Sequence, residues 1–301
     1  MSGGFEHITV LREEVVAALG SVPAGVVVDC TLGGGGHSEA VLNSRDDVRV
    51  IGIDRDPAAI VAATKRLAVF GKRFIACEGS YSDITRILRE QGEERVSGIV
   101  ADVGVSSHQL DSAERGFSFQ REGPLDMRMG PCVGATAADY VNSVDRQALC
   151  DALRSYGDVR SPWKVAGAIV DNRPFTTTLQ LADVISDALG GRRSRIHPAT
   201  RSFQAIRIVV NDELGELSAL LSMIPSLLNS GGIASIISFH SAEDRMVKRS
   251  FFDMAGVDGE RDAFGNPVVA PKARLLKRGA LKGKSDNVRA RSARLRSVEW
   301  L

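Results

Sequence analysis

Four short β-rich apolar runs alternate with amphipathic stretches over the first hundred residues, and this rhythm restricts the chain to few architectures. The runs are 25–30 (GVVVDC), 48–53 (VRVIGI), 73–77 (RFIAC) and 97–102 (SGIVAD). Between them lie stretches such as DPAAIVAATKRLAVF and DITRILREQ, whose apolar positions recur at helical spacing. A strand that is apolar on both faces must be covered on both, so the alternation predicts an α/β fold: a parallel, Rossmann-like sheet with helices on each side. At 301 residues, 44% of them hydrophobic and 25% charged, the chain has the composition of a soluble globular protein with a sizeable core. No apolar run reaches the roughly 18 residues that cross a bilayer. The opening MSGGFEHITVLREEV has glutamates where a secretory signal has its apolar region, so the expected location is the cytoplasm, with no membrane partner.

After Asp102 the pattern changes. Residues 103–135 are rich in Gly, Ser and charge, and helical periodicities follow at Leu149, Leu153 and Tyr156, at Val165 and Ile169, and at Leu181, Val184, Ile185 and Leu189. A long amphipathic helix is expected from about Thr200 to Leu228, then a turn at NSGG, a strand at 233–239 and a closing strand in ARLRSVEWL. The economical division is a discontinuous α/β domain, 1–110 and 208–301, carrying a mainly helical insert at 111–207 that enters after the fourth strand.

The four glycines of TLGGGGHS, 33–36, sit between the first strand and a helical stretch. The sequence lacks the lysine and spacing of a P-loop, and Ser38 stands where a dinucleotide fingerprint has its third glycine. The second strand runs into Asp54, 21 residues after Gly33, where a carboxylate can accept from ribose hydroxyls. Glycine loop and ribose acid together suit NAD and S-adenosylmethionine equally. Asp102 at the end of the fourth strand favours the second, because a carboxylate is compatible with a cationic sulfonium and has no evident role beside a hydride.

Several phrases together resemble the bacterial 16S ribosomal RNA cytosine-N4 methyltransferases: DCTLGGGGHS (29–38), IDRDP (53–57), ADVGVSSHQLDSAERGFSFQREGPLDMRM (101–129), HPATRSFQAIRIVVNDELGEL (197–217), SIISFHSAEDRMVKRSF (235–251) and NVRARSARLR (287–296). The resemblance spans nearly the whole chain. It implies the class I S-adenosylmethionine-dependent methyltransferase fold with a mainly helical inserted domain, and 16S rRNA in the small ribosomal subunit as partner, with a homodimer left open. It also implies cofactor contacts at Gly35, Gly36, His37, Asp54, Tyr81, Asp102 and Gln109. Relatives often have phenylalanine at the position of Tyr81, glycine at that of Cys30 and proline at that of His108, so the resemblance does not support His108 as a base.

For methyl transfer to an exocyclic amine the catalytic candidates are Asp102 first, then Ser106 and Ser107. No metal is called for, since the five histidines show no HxxxH clustering and the four cysteines (Cys30, Cys77, Cys132, Cys150) no CxxC pair. A base enters such a site unpaired or flipped, and aromatics commonly stack on it. Trp163 is the aromatic candidate for RNA contact, with Arg115, Arg128 and Arg201 as phosphate contacts from the insert. From the terminal run come Arg289 and Arg291, followed by Arg294 and Arg296. Lys272 to Arg296 contains ten basic residues and one acid, Asp286, in a chain whose net charge is only +1. Three rival readings remain at this stage: a C5-cytosine methyltransferase using a cysteine nucleophile, for which Cys132 is the candidate, an NAD-dependent oxidoreductase, and a ribosome-assembly factor that binds without turnover.

Overall fold

A computed structural model of the chain describes residues 9–130, 134–191, 197–260, 262, 264, 267–283 and 290–301, with only the backbone of 107 and 108. The strands are β1 (Gly25–Asp29), β2 (Val48–Asp54), β3 (Phe74–Glu78), β4 (Val96–Asp102), β5 (Leu228–Ser238), β6 (Ala273–Leu275), β7 (Leu281–Lys282) and β8 (Arg294–Trp300). The helices are α1 (Arg12–Leu19), α2 (Gly36–Ser44), α3 (Pro57–Leu67), α4 (Ile84–Glu90), α5 (Ser107–Asp111), α6 (Ala137–Ser143), α7 (Arg146–Gly157), α8 (Pro162–Asp171), α9 (Thr178–Ala188), α10 (Thr200–Val210), α11 (Glu213–Leu227) and α12 (Ser241–Met254).

The chain divides into two compact units, one of residues 1–104 and 215–301 and the other of 105–214. These limits differ by six or seven residues from the 110/111 and 207/208 boundaries read from composition. The reason is local packing: α5 adjoins the 3-10 turn Ala113–Arg115, and α10 packs along α7, so both helices go with the insert.

In the first unit the eight strands form one sheet in the order β3-β2-β1-β4-β5-β8-β6, with β7 also on β8. The pairs from β3 to β5 are parallel and β8 runs antiparallel to β5, β6 and β7. Side chains alternate across the sheet as strand geometry requires. Val26, Val28, Ile51, Ile53, Ile99 and Ala101 bury one face against α4, α11 and α12. Val27, Val48, Val50 and Val100 bury the other against Val15 and Leu19 of α1 and Val41 and Leu42 of α2.

Two expectations needed correction. The single helix expected from Thr200 to Leu228 is two helices, α10 and α11, broken at Asn211 and Asp212, where Asp212 takes φ +46°. Asn211 is occupied elsewhere: its amide donates to the Met127 carbonyl (2.8 Å) and accepts from the Met129 N–H (2.7 Å). The NSGG turn is instead a bulge inside β5, because Val96 pairs with Leu228 while Gly98 pairs with Ile233. Gly231, at φ +77°, absorbs the extra residues.

The second unit is helical around its own core: of the periodic positions read from sequence, Leu149, Leu153, Val165, Ile169, Leu181 and Ile185 are buried there, and Tyr156, Val184 and Leu189 are partly buried against it. Its long loop is pinned from inside. Arg115 donates to the carbonyls of Arg128 and Met129 (3.0 and 2.8 Å), and Arg128 closes a double hydrogen bond onto Asp126.

Candidate active site

Three parallel strands of the first unit end in aspartate: β1 in Asp29, β2 in Asp54 and β4 in Asp102. Parallel strands put these tips on one edge of the sheet, where β1 and β4 are direct neighbours and so are β1 and β2. The glycine loop is laid across that edge by backbone bonds to both neighbours, Cys30 N–H to the Val100 carbonyl (2.8 Å) and Leu32 N–H to the Ile53 carbonyl (2.9 Å).

The run of glycines divides by role. Gly35 closes the turn by donating to the Leu32 carbonyl and then starts α2 at φ +77°, and a Cβ there would lie 3.0 Å from Leu67 Cδ1. Gly34 has nothing within 4 Å of where its Cβ would be, so this part of the loop presents bare backbone to open space.

Asp54 holds the loop. Its Oδ2 accepts the Gly33 N–H at 2.7 Å and its Oδ1 the Asp56 N–H at 2.9 Å. Each carboxylate oxygen keeps a further lone pair for a ligand hydroxyl. Burial raises the pKa of this carboxyl against the pull of those two N–H groups. The helix cap belongs to its neighbour Asp56, whose side chain accepts from Ala58 N–H at 3.0 Å.

Asp29 is a residue the sequence reading missed. It is 1% exposed, and its two oxygens accept from the Ser38 hydroxyl (2.7 Å) and the Thr31 N–H (3.2 Å), joining the two ends of the glycine loop. Burial raises its pKa, with His37 and the two hydrogen bonds opposing. The Thr31 hydroxyl in turn accepts the Asp102 N–H at 2.6 Å. The repeated strand-end aspartate in VVVD, IGID and IVAD was the available signal.

His37, 5% exposed in the first turn of α2, brings Nε2 to 3.6 Å from Asp102 Oδ2, too far for a hydrogen bond. Among the described residues neither ring nitrogen of His37 nor Oδ1 of Asp102 has a hydrogen-bond partner, although all three atoms are buried. Buried polar atoms are nearly always paired, so these three mark a place for a polar ligand. Burial lowers the His37 pKa, but the Asp102 and Asp29 carboxylates outweigh it and the net shift is upward.

Tyr81 lies beyond β3 in the turn Tyr81–Asp83, half-buried against the core under α4 and α11. The Arg55 guanidinium sits 6.0 Å from its ring centroid and donates to the Ser80 hydroxyl at 2.8 Å. Glu216 of α11 binds the Ser80 hydroxyl and stands 3.4 Å from Arg55. Arg55, Ser80 and Glu216 were not read from the sequence, because their pairing spans 136 residues of chain.

Of the remaining candidates, Ser106 and Gln109 cap α5 reciprocally: the Gln109 carbonyl accepts the Ser106 N–H (3.0 Å) and the Ser106 hydroxyl accepts the Gln109 N–H (3.2 Å). The Gln109 amide also donates to the Met129 carbonyl at 3.2 Å. They belong to the second unit, and the Ser107 side chain lies outside the described residues.

Three carboxylates and one imidazole around bare backbone suit a cationic ligand with hydroxyls and repel the pyrophosphate of a dinucleotide. This chemistry fits S-adenosylmethionine. The model of the MraW methylase family matches residues 4–301. The chain belongs to the MraW methylase family.

Relatives of this MraW methylase share its whole length. Ribosomal RNA small subunit methyltransferase H of Geobacter sulfurreducens is 45% identical over 318 aligned positions, covering 99% of each chain. The protein of that name from Acidiphilium cryptum is 46% identical, covering 100% of this chain and 99% of its own. The one from Picosynechococcus is 45% identical, covering 99% and 98%. The MraW methylase described here is thus a methyltransferase, and its cofactor is S-adenosylmethionine.

The candidate RNA contacts of this MraW methylase are distributed unevenly. Arg296 donates to Asp244 of α12 at 2.7 and 3.2 Å with its side chain only 11% exposed, and Arg294 reaches the same carboxylate at 2.9 Å. Arg201 pairs with the exposed Asp158, and Trp163 is half-exposed with the Arg146 guanidinium 4.3 Å from its ring centroid. Arg289 lies outside the described residues.

Proposed function

We propose that this MraW methylase transfers the methyl group of S-adenosylmethionine to the exocyclic N4 amine of a cytidine in the decoding centre of 16S rRNA, with the small ribosomal subunit as substrate. The full-length relatives named as small-subunit ribosomal RNA methyltransferases support the substrate class. The observation that carries the chemistry is Asp102, a carboxylate at a strand tip beside the glycine loop with a buried Oδ1 that no group among the described residues satisfies.

The amine of cytosine is a weak nucleophile because its lone pair is delocalised into the ring, so catalysis consists mainly of holding N4 in line and drawing on its N–H bonds. S-adenosylmethionine supplies an electrophilic methyl carbon on a cationic sulfur. Asp102 Oδ1 would accept one N4–H and take that proton as the methyl carbon passes from sulfur to N4, the S–C bond breaking to leave a neutral thioether. Thr31 fixes the Asp102 backbone, and His37 faces its other oxygen. Asp54 receives the ribose, the bare backbone at Gly34 admits the cofactor tail, with Gly35 and Gly36 packed on Leu67 and Thr9 behind it, and the Tyr81 ring beside Arg55 forms the adenine wall. Ser106, Ser107 and Gln109, at the start of the second unit, are the further candidates.

The candidate RNA contacts are Arg201, the exposed face of Trp163, and Arg289 and Arg291 near the C-terminus, whereas Arg115 and Arg128 are committed to the loop carbonyls and to Asp126. A ribosomal substrate puts the enzyme in the cytoplasm. Among the described residues no helix is long and apolar enough to cross a membrane.

The test is incubation of undermodified small-subunit particles with labelled cofactor followed by nucleoside analysis. Label in N4-methylcytidine is expected, and label in 5-methylcytidine, or none, overturns the reading. Cys132, outside the described residues, is the nucleophile that C5 chemistry would need, so Cys132→Ala is expected to retain methylation. Asp102→Ala is expected to bind particles and lose incorporation, which an assembly factor without turnover would not do.

A further inference from the structure

Helix α12 presents unlike faces to the core and to solvent. Val247 and Phe251, each 1% exposed, are buried in the core that covers one face of the sheet. Arg245, Lys248 and Arg249 are exposed, and Phe252 is half-buried. These four positions stand at i, i+3, i+4 and i+7, so they form one stripe along the helix. The Lys248 ammonium rests 5.1 Å from the centroid of the Phe252 ring, which keeps it on that stripe.

The three cations are not compensated. Among the described residues Arg245, Lys248 and Arg249 make no ion pair and no side-chain hydrogen bond. Both acids of the first turn are buried and committed elsewhere. Glu243 accepts from the backbone N–H groups of Phe239 and His240, and Asp244 receives Arg294 and Arg296. Asp253 is exposed four residues beyond Arg249 and forms no ion pair with it. Like charges three and four residues apart on a helix repel, and glutamine would serve the helix about as well as lysine or arginine. Solubility is met by interspersed charges of both signs and does not call for a stripe of one sign. A stripe of unpaired positive charge is therefore best accounted for by a ligand of opposite sign.

Its position relates it to the cofactor site of the same unit. β5 is parallel to β4, with Ile237 in register with Asp102, and α12 starts four residues later at Ser241. The N-terminus of α12 thus lies at the sheet edge that carries Asp102 and the glycine loop. Arg245 is about 6 Å along the helix from that end, and Phe252 about 10 Å beyond Arg245.

From this placement we infer that the outward face of α12 is an RNA-binding track, on which Arg245, Lys248 and Arg249 contact backbone phosphates of the strand leading to the target nucleotide. The inference rests on RNA being the substrate, and deepens that reading by naming the surface that carries the strand. The two buried acids of the helix hold the fold, and its three exposed cations hold the ligand.

The test uses the full chain and the triple variant Arg245→Gln/Lys248→Gln/Arg249→Gln, since glutamine keeps helix propensity. The control, Lys65→Gln/Lys72→Gln/Arg89→Gln, removes the same charge from exposed cations of α3, the turn after it and α4. Melting temperature and calorimetric affinity for S-adenosylmethionine are read first, and both variants are expected to match the native protein. Binding of a fluorescent single-stranded RNA of decoding-centre sequence is then followed against salt. In the α12 variant the slope of log K against log salt is expected to fall in magnitude by about 2, at about 0.7 for each of three lost phosphate contacts. The control is expected to keep the native slope. An unchanged slope in the α12 variant overturns the inference, and so does an equal fall in the control, which would show a net-charge effect. An α12 variant that keeps the RNA slope but no longer binds small-subunit particles also overturns it, and assigns the face to a protein partner. If the slope falls as expected while the native enzyme leaves particles unmethylated, the track stands and the N4 assignment fails. If the native enzyme methylates particles while the slope is unchanged, the track alone fails.

Discussion

The backbone N–H of Gly33 donates to Oδ2 of Asp54 at 2.7 Å, closing 21 residues of chain into one hydrogen bond. The residue read from sequence as a ribose acceptor is therefore also the brace of the glycine loop. Asp54→Ala leaves the Gly33 and Asp56 N–H groups without their acceptor, at about 1–3 kcal/mol for each buried donor. We expect a lower melting temperature and at least about a tenfold weaker cofactor, which is 1.4 kcal/mol. Asp54→Asn, which keeps one carbonyl oxygen, falls between. Calorimetric titration with S-adenosylmethionine checks this, and native affinity in Asp54→Ala would refute it.

Adjacent glycines should respond differently. Gly35→Ala forces a Cβ to φ +77° and into contact with Leu67 Cδ1, a strain of about 1–3 kcal/mol. Gly34→Ala meets nothing within 4 Å and should leave stability within about 0.5 kcal/mol. Urea melts of the two variants measure the contrast, and equal midpoints would contradict the assigned roles.

The stability of the cofactor-free protein should carry a histidine signature. The His37 pKa is raised in the fold above its ordinary 6.5, since the Asp102 and Asp29 carboxylates outweigh burial. A raised folded-state value stabilises fully below the unfolded pKa, and that contribution disappears as pH rises through the folded one. The urea midpoint of the native protein should therefore fall relative to His37→Gln as pH rises above about 6.5. Parallel pH profiles would exclude the pairing.

Asp244 secures the last long strand. Its side chain is 9% exposed and receives Arg296 through two hydrogen bonds and Arg294 through one. Asp244→Asn breaks a largely buried pair, which costs roughly 2–4 kcal/mol when one partner half remains in water. Burial raises the carboxyl pKa, but the two guanidinium groups overcome it and hold the value below 3.8. That stabilisation is present above 3.8 and is lost as pH falls through the lower folded value. Acid unfolding followed by circular dichroism should show this component in the native protein and not in Asp244→Asn.

The legible part of the fold was the part encoded by neighbours in the chain. Strands buried on both faces are continuous apolar runs, so GVVVD, VRVIGID, FIACE and VSGIVAD stood out, and the order in which they alternate with helices fixes a parallel sheet. The site's glycine loop and the aspartates at the tips of β2 and β4 were legible for the same reason: strand ends carry them.

What the amino-acid order by itself determined is thus which segments are strands and helices, and that a glycine loop and strand-tip acids meet on one edge. Tertiary structure alone decided that Asn211 leaves its helix to bind Met127 and Met129, that Glu216 reaches Arg55 and Ser80, and that Asp244 takes Arg296 out of the solvent. Periodicity reports which face of a segment is buried, whereas these pairings depend on which polar groups the packed core brings within 3 Å, and no local pattern contains that information.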